Sequence, residues 1–415
     1  MGLNMVIGSG FFLFPSRVFR YVGVWGPLEV IAVGLAMIPI ALCFGEVASR
    51  FTKTGGPYTY TRAAFGQFVG FQIAWLLWIS RIVAQAAVLS GLLLLLATLT
   101  HRPVPSTLGL VLCAIVTIAV AAFSIAGGRQ NLVFINSLTL LKGIPIVAFV
   151  VYGFFCVDWS NFAAAQPVSL SGMSSAALLI LYSFSGFELL TIPAGEAKTP
   201  ATDIPQALLI ALLCGIFVEA GAHAVVIGIT GDPSSLNVAL ADAAGLLLGN
   251  WGEALLLVTA MIAIVGHNAS SLLSVSRLLF AAAQNREIPR AFATLHPRFR
   301  TPWVAVTTSA LCVLALTASN TFESLVVLAA GTRIVVYTSV VLATVVLRRK
   351  NRACDVPAAA YRAPCLRITA TAALLTCAVL FLAIDTPRVV AIAIAAAAGA
   401  ALFYAQRWRD SDETG

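Results

Sequence analysis

The chain has 415 residues, of which 60% are hydrophobic and 10% are charged, and its mean hydropathy is +0.95. Soluble domains carry about 25% charged residues, so this composition excludes a soluble fold and indicates a polytopic membrane protein. A net charge of +8 would fit a nucleic-acid partner. The basic residues lie in short loops, however, and positive loops facing the cytoplasm explain the excess.

Apolar segments long enough to span a bilayer, which needs about 20 residues each, follow one another along the whole chain. We predict about twelve of them, at 1–22, 28–49, 66–98, 106–126, 131–157, 173–195, 205–230, 252–284, 303–319, 322–347, 364–385 and 388–406. The segments 66–98 and 252–284 are longer than a bilayer requires, so we expect tilt or extension into a loop.

The first segment is interrupted by Gly8-Ser9-Gly10 inside a hydrophobic run. Each glycine is worth about 1 kcal/mol less than alanine in a helix, so this sequence indicates a broken membrane helix. A break frees backbone N–H and C=O groups that lipid cannot satisfy, and they must face protein or a polar cavity. A functional cavity is therefore predicted at this break.

Basic residues alternate between successive loops. They are concentrated in the loops 50–65, 127–130, 196–204, 285–302 and 348–363. Because positively charged loops face the cytoplasm, these five loops are predicted to lie inside, and both termini with them.

The sixth segment contains a second interruption, from Ser183 to Glu188. Interrupted segments one and six stand five helices apart, which is the spacing of two five-helix inverted repeats. Broken helices in corresponding positions of two halves indicate a binding site near the bilayer midplane. Small residues also serve close helix packing, and that reading stays open from the pattern alone.

Motifs in chain order resemble those of the amino acid–polyamine–organocation (APC) permeases. The run 7–12 resembles the helix-one signature, 55–58 the first cytoplasmic loop, 184–188 and 195–205 helix six and its following loop, and 276–302 the end of helix eight and the start of nine. The resemblance implies an all-α, LeuT-type 5+5 inverted repeat with about twelve transmembrane helices, of which helices 1 and 6 are broken. One permease domain, 1–415, would comprise a first repeat (1–157), an inverted second repeat (173–347) and two extra helices (364–406).

The resemblance also implies a substrate site at the two breaks. Backbone N–H groups of the first break would hold a substrate α-carboxylate, and free carbonyls of Val6, Tyr182 and Ser185 would accept from its ammonium. The Tyr182 ring would cover the substrate. The predicted substrate-binding residues are Val6, Ile7, Gly8, Ser9, Gly10, Tyr182, Ser183, Ser185 and Gly186.

Two charged residues in apolar segments are candidates for proton coupling or gating, Lys142 and Glu188. Intramembrane charges are costly and are functional hypotheses by default. In proton-linked relatives, a lysine at the position of Lys142 stands where sodium-coupled relatives bind a cation, and it would tie helix one to helix eight. The alternatives are a fixed ion pair or carbonyl anchor for Lys142 and a neutral strut for Glu188. Arg81 and Arg333 are expected to face the interior, without an assigned partner.

The predicted function is secondary active transport of amino acids across the cytoplasmic membrane by alternating access, with proton coupling or exchange. A polyamine or basic amino acid exchanger and a non-transporting amino acid sensor are the alternatives. Ser271 falls where arginine–agmatine exchangers of the family carry a stacking tryptophan, which weakens the cationic reading. The sequence offers no metal cluster, cofactor motif or catalytic constellation. The expected partners are an amino acid, the lipid bilayer and protons.

Only seven residues precede Gly8, and they span about 10 Å as a helix. The family has a longer half-helix here. We therefore expect either an abbreviated inner gate or a sequence that begins downstream of the true start.

Overall fold

The computed structural model describes residues 2–163, 167–196, 199–319, 322–350 and 356–412. Within these residues the chain folds into α-helices joined by short loops and 3₁₀ turns, without a β-strand. The helices are α1 (Gly2–Val6), α2 (Ser9–Val22), α3 (Gly26–Ala48), α4 (Pro57–Phe65), α5 (Gln67–Thr100), α6 (Ser106–Ala126), α7 (Gly128–Phe155), α8 (Leu170–Phe184), α9 (Pro200–Thr230), α10 (Ala239–Leu248), α11 (Asn250–Gln284), α12 (Trp303–Ser319), α13 (Phe322–Lys350), α14 (Leu366–Leu382) and α15 (Thr386–Asp412).

Nine helical stretches in the described ranges are long and apolar enough to cross a membrane. One of them, Gly10–Ala48, combines α2 and α3, because the 3₁₀ turn Gly23–Trp25 joins the two helices directly. Three more apolar helices are shorter: α10, the stretch Trp303–Ala318 of α12, and α14. These helices confirm the predicted all-helical, multi-pass membrane fold.

Two helices occur where we predicted only loops. α4 lies within the loop 50–65 and α10 within the loop 231–251. Both are too short to span a bilayer, which is why a search for apolar runs of spanning length missed them. α10 nevertheless buries five of its residues against α9, α11 and α2.

The predicted break in the first segment is present. α1 ends at Val6 and α2 begins at Ser9, with Ile7 and Gly8 between them. The sixth segment is broken in the same way: α8 ends at Phe184, and a 3₁₀ turn, Phe187–Thr191, follows it. Gly186 between them has a φ of +132°, a conformation that L side chains rarely adopt.

The two breaks contact each other. A Cβ added to Gly186 would lie 2.9 Å from the Met5 Cβ and 3.0 Å from the Met5 carbonyl oxygen. Glycine is required here both for its backbone conformation and for this close approach. Two points 181 residues apart in the sequence are thereby brought together in the middle of the bundle.

The remaining helices build a frame around the breaks. α5 packs against both α11 and α13, while α3 packs against α9 and α14. α1 is short and lies between α7, α9 and α11. The outward faces of α6, α7 and α15 are rich in exposed leucine, isoleucine and valine, as expected for helices that face lipid.

The loops predicted to lie on one side of the membrane do meet at one end of the bundle. Arg62 donates to Glu287 at 2.9 Å, Arg50 to the Pro357 carbonyl at 2.9 Å, and Thr301 to the Ile125 carbonyl at 2.5 Å. Gly195 adjoins Thr54, whereas Lys198 of the loop 196–204 lies outside the described residues. The loops in which basic residues are concentrated therefore lie at one end of the bundle, which we call the basic end.

Glu46 of α3 is the centre of a buried polar cluster near the basic end. Its carboxylate accepts from Arg50 at 3.2 Å, from the Ala363 N–H at 3.0 Å and from Arg348, whose Nε lies 2.8 Å away. This cluster joins α3 to α13 and to the segment that precedes α14.

Candidate functional site

The carbonyl groups freed by the first break are occupied by side chains from other helices. Lys142 of α7 donates to the carbonyl oxygens of Asn4 and Ile7 at 2.8 and 2.5 Å. The Met5 carbonyl lies 3.1 Å from Nδ1 of His267, on α11. These contacts satisfy the groups that lipid could not.

Asn4 fixes the other side of the short helix α1. Its amide nitrogen donates to the Gly266 carbonyl and to the Ser270 hydroxyl, both at 2.9 Å. Asn4 and His267 therefore tie α1 to α11, while the hydrogen bonds of Lys142 tie it to α7. Because α11 corresponds to the eighth predicted segment, the tie between helices one and eight that was predicted for Lys142 is made by Asn4 and His267 instead.

The second break is organised around the carboxylate of Glu188, which is fully buried. Its Oε2 accepts from the Gly186 N–H at 2.8 Å and from the Tyr337 hydroxyl at 3.0 Å. Its Oε1 pairs with the guanidinium of Arg81, on α5. Glu188 thus links three elements: the break itself, α5 and α13.

A second buried arginine, Arg333 of α13, reaches the same break. It donates to the Ser185 hydroxyl, and its Cζ lies 5.1 Å from the centroid of the Tyr182 ring. Tyr182 is held in place by its own hydroxyl, which donates to the Ala84 carbonyl at 3.1 Å. The guanidinium is therefore placed against the aromatic ring predicted to cover the substrate.

A small cavity lies between the two breaks. Its volume is about 10 Å³, roughly what one water molecule needs. An amino acid would require it to expand. The cavity is lined by Met5, Val6, Gly8, Gly10, Val88, Tyr182, Ser183, Ser185, His267 and Arg333.

A much larger cavity, with a volume of about 910 Å³, opens at the basic end. It is lined by Arg50, Lys53 and Arg62, by the start of α4 and by the end of α11. Tyr58 in its wall lies beside Glu287, and burial raises the pKa of both groups.

The charges around the small cavity do not pair one to one. Among the described residues around it, Arg81, Lys142 and Arg333 are buried and basic, while Glu188 and Glu219 are buried and acidic. Of these five, only Arg81 and Glu188 form an ion pair. Glu219 accepts from the Ser183 hydroxyl at 2.9 Å.

A sequence profile described as "Amino acid permease" matches residues 1–403. The chain belongs to the amino acid permease family. This membership confirms the resemblance to APC permeases and establishes that the chain is a transporter homologue rather than an enzyme. It also agrees with the multi-pass helical fold.

The permease is similar to several curated transporters. It is 28% identical over 330 residues to a serine/threonine exchanger of Bacillus subtilis, an alignment covering 77% of this chain and 74% of the relative. It is 24% identical over 404 residues to a branched-chain amino acid permease of the same organism, with coverages of 92% and 85%. It is 26% identical over 384 residues to human cationic amino acid transporter 4, covering 84% of this chain and 58% of that protein.

Most of the predicted substrate-binding residues of the permease line the small cavity: Val6, Gly8, Gly10, Tyr182, Ser183 and Ser185. Ile7 and Gly186 lie in the breaks but are not among the lining residues. The side chain of Ser9 lies outside the described part of the chain, although its backbone begins α2. Lys142 and Glu188 lie behind the cavity wall, each bonded to a break.

The backbone groups predicted to hold substrate already have partners within the permease. The Gly8 N–H donates to the Val6 carbonyl at 3.1 Å. The Tyr182 carbonyl accepts from the N–H of Ser185, at 3.2 Å, and from its hydroxyl. A carbonyl has two lone pairs, so the Val6 carbonyl can accept a second hydrogen bond, whereas the Tyr182 carbonyl must first release one of its two donors.

Four of the lining residues are not among the predicted substrate-binding residues: Met5, Val88, His267 and Arg333. Met5 and Val88 carry no chemical signal in an apolar segment. The run 267–271 is polar within an apolar segment, and the structure places His267 beside Gly8, with its Nδ1 3.1 Å from the Met5 carbonyl. Arg333 is expected to face the interior because of its charge deep in a predicted span, and the structure places it in the cavity wall.

Proposed function

We propose that this permease is a secondary active transporter that moves amino acids across the cytoplasmic membrane by alternating access. The observation that carries the proposal is the meeting of two helix breaks at one buried cavity, in a family of amino acid permeases. We further propose the 5+5 arrangement of 1–157 and 173–347, with 364–406 as two extra helices. The basic end would face the cytoplasm, as would both termini.

The start of α2 would bind the substrate α-carboxylate. The first N–H groups of a helix have no partner inside it, and its positive dipole end favours an anion. Gly8 and Gly10 line the cavity at this helix start. The Val6, Tyr182 and Ser185 carbonyls would accept from the substrate ammonium.

Lys142 supports a proposal for proton coupling. Its ammonium is completely buried, and its two hydrogen-bond acceptors are carbonyl groups of the first break. A neutral amine would bind these carbonyls more weakly than an ammonium does. Loss of the proton would therefore loosen α1 from α7, which is the movement that opening of the first break requires.

Uptake of labelled amino acids into proteoliposomes tests both proposals. With an inward proton gradient, we expect the wild-type protein to accumulate substrate several-fold faster than without one. Lys142→Met should lose this stimulation, while Lys53→Met, which removes an exposed lysine from the loop 49–56, should retain it. Absence of transport of every amino acid and amine would overturn the transport proposal. A full proton response in Lys142→Met would overturn the coupling role alone.

Exchange is a second mode, favoured by the similarity to a serine/threonine exchanger. Proteoliposomes preloaded with unlabelled substrate distinguish the modes. If uptake requires internal substrate and is indifferent to the proton gradient, the permease is an exchanger. Saturable binding without flux in either experiment would indicate an amino acid sensor.

A further inference from the structure

We infer that the substrate is an amino acid with an acidic side chain and that Arg333 binds its second carboxylate. The inference rests on the transport function proposed above and names its substrate class. It starts from one observation, a buried guanidinium in the wall of the cavity that has no carboxylate partner among the described residues.

Arg333 is only 1% exposed, and a guanidinium remains charged inside a protein. Its contacts are the neutral hydroxyl of Ser185 and the face of the Tyr182 ring. Its Nε has no hydrogen-bond partner in the described part of the chain. A buried charge is normally paired, and no described acidic group lies within ion-pair distance of this one.

Arg81 provides an internal comparison. It is equally buried, but its guanidinium is paired with Glu188. Glu188 in turn accepts from Gly186 and Tyr337, so its two oxygens are both engaged. Glu188 is therefore committed to Arg81 and the second break, and it does not neutralise Arg333.

The remaining charges near the cavity do not neutralise Arg333 either. Lys142 adds a further positive charge, bonded to carbonyl groups of the first break. His267 has an Nε2 without a partner in the described residues. The Glu219 carboxylate accepts a hydrogen bond from the neutral hydroxyl of Ser183. A cationic substrate would be repelled from such a site, whereas an anionic group would be attracted.

The cavity wall therefore offers two places for an anion. One is the start of α2, where Gly8 and Gly10 line the cavity and the first N–H groups of the helix have no partner inside it, and the other is Arg333 beside Ser185. The first suits the α-carboxylate common to all amino acids. The second has no use with a neutral amino acid, but an arginine binds a side-chain carboxylate through two parallel hydrogen bonds. Aspartate and glutamate carry both groups.

The test compares acidic amino acids with their amides, which have the same shape without the charge. Binding to the purified protein and uptake into proteoliposomes are measured for glutamate against glutamine and aspartate against asparagine. We expect the acid of at least one pair to be preferred tenfold or more. Lysine and putrescine should neither bind nor compete.

Variants at Arg333 then assign the preference to this residue. Arg333→Gln should bring the acid-to-amide ratio close to one, and Arg333→Lys should retain part of it. Arg388→Gln is the matched control, because Arg388 forms a partly exposed ion pair with Asp385 outside the cavity. It should leave the ratio unchanged. If Arg333→Gln does not fold, the wild-type ratios and Arg333→Lys decide the question.

The outcomes separate this inference from the proposal beneath it. Transport of neutral amino acids with no preference for the acids overturns the acidic substrate and leaves amino acid transport standing. Uptake of neutral amino acids that requires chloride in the wild-type protein but not in Arg333→Gln also overturns the acidic substrate, because an inorganic anion then pairs with Arg333. Absence of binding and transport for all amino acids overturns the proposed function itself.

Discussion

Glu188→Gln is expected to destabilise the permease strongly, because it removes the charge that neutralises Arg81. Both side chains are fully buried. Removing one partner of a buried pair typically costs about 3–5 kcal/mol, and two unit charges about 4 Å apart at an effective dielectric constant of 20 attract by a similar amount, about 4 kcal/mol. The Nε and Nη1 of Arg81 already have no partner in the described residues, so the variant leaves the guanidinium with little compensation.

The measurement is the midpoint of thermal unfolding of the purified protein in detergent. Unfolding entropy is about 2.1 cal/mol/K per residue, or about 0.9 kcal/mol/K for this chain, so a loss of 3–5 kcal/mol lowers the midpoint by about 3–6 °C. Asp385→Asn is the matched control. It removes a carboxylate from the partly exposed pair with Arg388, and exposed pairs contribute only about 0–1 kcal/mol.

A double variant separates the charge from the loss of packing. In Arg81→Met/Glu188→Met, both charges are replaced by apolar side chains of similar length, a change that is often neutral or stabilising for a buried pair. We expect it to be more stable than Glu188→Gln. If Glu188→Gln unfolds at the wild-type temperature, or the double variant is less stable than the single one, the reasoning about an obligatory ion pair is wrong.

Two further variants test the breaks and the basic end. Gly186→Ala should lower the free energy of unfolding by about 1–3 kcal/mol and abolish transport, since a strained backbone of this kind costs that much and the new methyl group meets the Met5 carbonyl. Gly143→Ala, with open space at its Cβ, is the control. Equal stability of the two variants would contradict the close contact. Burial raises the pKa of Glu287 in the folded state, so the folded protein binds this proton more tightly than the unfolded chain does. The stabilisation from this group is therefore complete below the unfolded pKa of about 4.3 and declines as the pH rises through the folded-state pKa. Glu287→Gln should flatten that decline in thermal unfolding measured from pH of about 4 upward, and an unchanged slope would exclude Glu287 as its source.

The breaks could be predicted because their causes are local. Gly8 and Gly186 are poor helix residues, and the structure interrupts both helices at these positions, whereas Gly10 lies in the first turn of α2. The all-helical membrane fold follows from composition for the same reason. The boundary between α2 and α3 also has a local cause: the predicted segments 1–22 and 28–49 agree with the end of α2 at Val22 and with α3, Gly26–Ala48, and Gly23 permits the sharp connection between them at a φ of +57°.

The partners of the charged residues could not be predicted from local sequence. Arg81 and Glu188 are 107 residues apart, and Arg333 and Ser185 are 148 residues apart. Their pairing depends on α5 and α13 packing beside the second break, which no local pattern specifies. The sequence indicated that these arginines face the interior, but only the packing shows that one is neutralised and the other is not.

The small size of the cavity has a consequence for measured affinity. A site with room for about one water molecule can bind substrate only in the fraction of molecules that have opened. The observed dissociation constant then equals the intrinsic one divided by that fraction. If opening is populated at about one part in a hundred, the observed affinity is about a hundredfold weaker than the contacts alone would give. Substitutions that loosen the closure around Tyr182 should therefore strengthen apparent binding, even though they remove contacts from the closed site.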